Sequence, residues 1–177
     1  MLMTTFSKDE AQNAYWKASP RIRRVILEEA RANAAARQVA MVALEQRVSQ
    51  AVAALFAAAA FSATFGATFR GLGPHLPFLS GLATISFTVG AMVCLYGMMA
   101  GDIVFQGVSP SWWKDADFLE ETNPEKAGCW NAGLLEQVIE SYDDVARKRA
   151  AALNLGLKYG AAGGVLVAIA GGLMIFS

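Results

Sequence analysis

The chain has 177 residues and a formal net charge of zero, with 55% hydrophobic and 17% charged residues, more apolar and less charged than an average soluble domain. A chain of this length usually forms one domain, and zero net charge excludes a global basic field able to hold nucleic acid. Two cysteines, Cys94 in an apolar run and Cys129 in a polar one, exclude a disulfide framework, and His75, the only histidine, leaves no metal-ligand set.

The charges crowd into 8–47 and 102–158 and leave three long runs almost bare. Residues 1–17 lack an apolar stretch followed by a small-residue cleavage site, so no cleaved signal peptide is expected and the first apolar run is the expected targeting signal. Ser19 and Pro20 form a helix start, a capping serine followed by proline at the first helical position. From 21 to 65 there is neither Gly nor Pro, and the abundance of Ala, Glu, Arg and Leu favours helix. The segment 20–47 therefore reads as a cytoplasmic amphipathic helix continuing into the first span, about 70 Å in all at 1.5 Å per residue. Ile22, Val25, Ile26, Ala30 and Ala34 give its polar part a thin apolar stripe that needs a partner.

Three uncharged runs have the length a bilayer core requires: 48–69, 76–101 and 159–177. Between the first two, 70–75 is a short outer loop carrying only Arg70 as a basic residue. Lys8, Lys17, Arg21, Arg23, Arg24, Arg31, Arg37 and Arg47 precede the first span, and Arg147, Lys148, Arg149 and Lys158 precede the third. By the positive-inside rule the N-terminus and 102–158 are cytoplasmic and the C-terminus is outside. The expected fold class is an all-α integral membrane protein, with three transmembrane helices and long cytoplasmic helical extensions.

Within 102–158, Ser109 and Pro110 open a short helix carrying Trp112 and Trp113, which with Tyr159 read as interfacial anchors. The acids Asp115, Asp117, Glu120 and Glu121 that follow read as a solvated face. Thr122, Asn123, Pro124 and Glu125 make another helix start at capping-box spacing. Beyond it Leu135, Val138, Tyr142 and Val145 fall at a/d-like spacing. Asp143 with Arg147 and Asp144 with Lys148 are expected i,i+4 pairs. This helix should run on into the third span and bury its stripe against the arm that precedes the first.

Small residues recur every four positions in each span: Ala54, Ala58, Ser62 and Gly66 in the first, Gly97 and Gly101 in the second, Gly156, Gly160 and Gly164 at the entry to the third. Such faces let helix backbones approach closely, within one chain or between copies. No ionisable residue lies deep in a span, which argues against proton relays, ion-coupled transport and voltage sensing. There is no Walker loop, no Ser/His/Asp set and no pair of carboxylates in an apolar pattern, so neither catalysis nor a cofactor is expected.

Glu45, Gln46 and Arg47 before the first span, Gly101, Asp102 and Ile103 at the exit of the second, and Leu135, Glu136 and Gln137 leading to Arg147, Lys148 and Arg149 before the third form an arrangement over about 40–177. It resembles the small transmembrane effectors of nucleotide-signalled anti-phage systems, in particular those of Pycsar. The resemblance implies a bacterial inner-membrane protein that receives a cytoplasmic nucleotide ligand, associates with itself and impairs the membrane. The alternative is an accessory subunit docked on a larger membrane complex. The expected partners are therefore the lipid bilayer and either another copy or another membrane protein.

Overall fold

The computed structural model describes residues 8–99 and 124–175. Every regular element among them is helical: α1 (Lys8–Lys17), α2 (Pro20–Thr68), a 3-10 turn (Arg70–Leu72), α3 (His75–Met99) and α4 (Pro124–Ile175). Proline stands first in both long helices, where the missing N–H costs nothing because that group has no intrahelical partner. Trp112, Trp113 and Gly101 lie outside the described residues, as do the acids between them and α4. Between α2 and α3 the chain reverses at Gly73, whose φ of 140° belongs to a region that side chains avoid.

Helices α2, α3 and α4 are each long and apolar enough to cross a membrane. The chain divides into two compact units, residues 1–42 with 101–145 and residues 43–100 with 146–177; α2 and α4 contribute to both. In the first unit, Ile26 and Leu27 of α2 pack against a cluster of Tyr15, Cys129 and Ala132, and Arg37 forms an ion pair with Asp143. Asp143, expected to pair with Arg147 one turn on, thus reaches across to α2 instead. Of the thin stripe read from the sequence, Ala34 is fully buried while Ile22 and Val25 are exposed, because α1 and α4 cover only part of the face.

In the second unit α2, α3 and α4 form a three-helix bundle around Val48, Leu55, Ala59, Ala83, Phe87, Ala91 and Cys94. Contacts climb together in α2 and α4, from Glu45 with Arg149 to Leu55 against Gly160, so these helices are parallel. They run oppositely in α3 and α4, from Gly97 against Ala152 to Gly90 against Gly156, so those are antiparallel.

Buried positions recur every seventh residue. On α2 they are Ala34, Met41, Val48, Leu55 and Ser62. On α4 they are Leu135, Tyr142, Arg149, Gly156, Gly163 and Ala170. On α3 two such series interleave, Leu76, Ala83, Gly90 and Gly97 with Ser80, Phe87 and Cys94. A strict seven-residue seam on 3.6-residue helices imposes left-handed supercoiling and knobs-into-holes packing.

Candidate functional site

The closest helix approaches occur where glycine or alanine removes the side chain. A Cβ on Gly90 would stand 2.7 Å from the carbonyl oxygen of Gly156, and one on Gly156 the same distance from that of Gly90 as well as against the Cys94 thiol. Backbone therefore meets backbone at this crossing of α3 and α4. Two helical turns toward the α3 C-terminus, Gly97 lies against the Ala152 methyl; on α4, Gly160 lies under Leu55 and Gly163 under the Phe87 ring. Between α2 and α3, a Cβ on Gly66 would stand 2.7 Å from that of Ser80.

Hydroxyls complete these crossings: Ser62 donates to the Ser80 carbonyl at 3.0 Å, and Ser86 donates to the Tyr159 carbonyl at 2.7 Å. Away from water, such bonds matter because an unsatisfied polar group is expensive.

The small residues singled out in the sequence thus separate into two groups. Ser62, Gly66, Gly97, Gly156 and Gly160 lie in helix contacts and Ala58 packs against the core. Ala54 is exposed, a Cβ on Gly164 would meet nothing within 4 Å, and Tyr159 is exposed with its backbone in the bundle. Gly90 and Gly163 are equally engaged: Gly163 has the large Tyr159 and Val167 four positions either side, while Gly90 follows Ser86 at the four-residue spacing but is not among the residues singled out in the sequence. The seven-residue phase was the usable signal: Gly90 follows Ala83, and Gly163 follows Gly156.

A charged feature sits at one end of the second unit. Arg149 is 7% exposed. Its Nη1 donates to Glu45 Oε1 in an ion pair, and its Nη2 donates to the Met98 carbonyl at 3.1 Å. Arg147 and Lys148 beside it are exposed.

The first unit carries an open groove of about 510 Å³ whose lining includes Tyr15, Arg23, Arg24, Leu27, Glu28 and Arg31. Arg23 is fixed there: its Nε donates to the Ala18 carbonyl at 2.9 Å and its Nη2 to the Trp16 carbonyl at 3.0 Å. Its guanidinium lies 5.6 Å from both the Tyr15 and Trp16 ring centres, within cation–π range. On the α4 side, Cys129 donates weakly to the Gln12 carbonyl at 3.7 Å. Burial pushes its thiol above the ordinary value, against smaller downward pulls from the Trp16 hydrogen bond and the Arg23 charge. Among the described residues, no three His, Cys, Asp or Glu side chains gather into a metal-binding group.

The chain matches no protein-family model, no curated protein and no solved structure.

Proposed function

We propose that this protein is a three-span integral membrane protein of the bacterial inner membrane, acting as a non-enzymatic effector. Its polar helices on the cytoplasmic side receive a signal, and its spans rearrange and associate with another copy to impair the membrane. The observation that carries this reading is the continuity of α2 and α4. Each runs unbroken from a charged stretch into an apolar one, and each keeps one seven-residue series of buried positions throughout. A change in how the polar parts pack then has a mechanical route into the spans, since packed helix pairs shift as units between discrete arrangements.

Membrane insertion is supported by what the second unit leaves outside. Phe61, Phe78, Ile85, Met92 and Val165 are each about 60% exposed, a surface suited to lipid and costly in water. The groove with Arg23, Arg24 and Arg31 is the polar surface best suited to an anionic signal, such as the nucleotide that the effector resemblance implies. Val39 and Val42, exposed on the polar part of α2, favour a second reading, an accessory subunit that docks on a larger membrane complex.

Overproduction in a bacterium separates the two, with carbonate-resistant membrane association checked first. Collapse of membrane potential on induction is the effector outcome. Unchanged potential and growth, with stable co-purification of other membrane proteins, overturns the effector in favour of the subunit.

A further inference from the structure

Arg149 is the one charged residue in its seven-residue series on α4, whose other members are Leu135, Tyr142, Gly156, Gly163 and Ala170. Charged residues at such seam positions are costly, and a long basic side chain near an apolar boundary ordinarily snorkels to water. Arg149 instead turns inward. Its guanidinium is held by the Glu45 carboxylate of α2 and by the Met98 carbonyl of α3. Met98 lies on α3, whose described residues end at Met99. One side chain of α4 thus bonds a backbone carbonyl of α3 and pairs with α2.

Stability alone does not account for this arrangement. The Arg149 side chain is 8% exposed and that of Glu45 41%; desolvating the guanidinium cancels much of the attraction, and an apolar replacement of a buried charge by a residue of similar volume is often neutral or stabilising. A polar residue in a coiled-coil seam has a better-attested role, which is to fix register. Register needs fixing here. A slide of α4 by seven residues brings Gly163 and Ala170, still small, to the contacts of Gly156 and Gly163, while Tyr159 and Val167 replace Ala152 and Gly160, so packing resists the slide only at the latter two. Sliding α4 by seven residues would carry the guanidinium away from both acceptors and leave a buried charge unpaired, which is strongly disfavoured.

We infer that Arg149, Glu45 and the Met98 carbonyl form a polar clasp that sets the axial register of α4 against α2 and α3. The clasp gives the bundle one arrangement, and exchange of the Arg149 partners is the step at which α4 shifts. The inference stands on the bundle geometry and holds whether the protein is an effector or a subunit.

Disulfide trapping in the full-length protein in mild detergent tests it, with Cys94→Ala and Cys129→Ala as background. The pair Leu55→Cys and Gly160→Cys reports the register observed, since Leu55 Cδ2 lies 2.6 Å from the position of a Gly160 Cβ. The pair Leu55→Cys and Val167→Cys reports a slide of one repeat. With Arg149 intact, only the first pair should cross-link. In Arg149→Met, cross-linking of the second pair should rise by at least about tenfold, because the penalty on an unpaired buried charge is gone, while the melting temperature holds or rises. Glu45→Gln should produce a smaller rise. Cross-linking confined to the first pair in both variants overturns the clasp. So does a lower melting temperature with the register unchanged, which would make Arg149 a structural stabiliser only.

Discussion

The two units share α2 and α4 and use the same seven-residue spacing, but fill it differently. In the first unit the buried series holds Met41, Leu135 and Tyr142, with Tyr15 and Cys129 beside them. In the second, Val48, Leu55 and Phe87 share the core with close contacts at Gly66, Gly90, Gly97, Gly156, Gly160 and Gly163, and Ser62 donates across to the Ser80 carbonyl. Large side chains hold helices together in water, because removing them from water provides the driving force. Among lipid tails that force disappears, and close backbone approach with interhelical hydrogen bonds takes its place. The contrast in packing is what the proposed membrane placement of the second unit requires.

Enlarging the glycines is the severest way to break that contrast. At Gly156 an added Cβ meets the buried Cys94 sulfur and the Gly90 backbone oxygen, and the backbone cannot rotate aside. Gly156→Leu should destabilise the bundle by more than about 3 kcal/mol, beyond ordinary overpacking. At Gly160 the obstacle is the end of the Leu55 side chain, which can move, so Gly160→Leu should cost about 1–3 kcal/mol. Gly164→Leu meets open space and should change stability by no more than about 0.5 kcal/mol. Thermal unfolding in detergent ranks the three. Gly164→Leu also sharpens the question of assembly. A smaller complex with unchanged stability would show that another copy covers this face.

Ala58 tests the environment of the second unit directly. It is half-buried in the apolar part of α2, so Ala58→Arg places a charge near the centre of the proposed first span. Insertion should become less favourable by about 3 kcal/mol, seen as a lower fraction of carbonate-resistant protein. Full insertion at unchanged yield would count against a membrane core at this position.

Much of the helical framework is legible in the residues. The absence of Gly and Pro from 21 to 65 shows α2 as one helix, and Pro124 marks the start of α4. The packing is less legible, because four-residue spacing of small residues does not say which helix face meets a neighbour. Gly160 and Gly164 belong to the same motif, yet one lies under Leu55 and the other against nothing. Arg149 is hidden more thoroughly. Inside the basic triplet 147–149 it reads as a flank that orients a span, and only counting in sevens from Leu135 through Tyr142 places it in the seam. Its acceptor on α3 is a backbone carbonyl, for which no side-chain pattern gives a signal.

In the first unit, Arg37 and Asp143 are each about one-third to one-quarter exposed, so water screens their pair. Arg37→Ala should cost about 0.5–1 kcal/mol, and the loss should shrink at high salt. A salt-independent loss above that range would instead assign Arg37 a packing role.

The smallest effect belongs to Cys129. Burial against Tyr15 raises its thiol above the ordinary value, so the reactive thiolate is scarce at neutral pH. In a Cys94→Ala background, maleimide labelling of the folded protein should be slower than that of a free thiol and should accelerate only above the ordinary thiol range. The sign for stability follows from the same shift. A raised thiol value in the folded state contributes stability in full below the ordinary value, and that contribution is lost as pH climbs through the folded one. Labelling at the free-thiol rate at pH 7 would mean that α1 opens from α4 in solution. The first unit would then owe its order to the contacts of α2 with α4 alone.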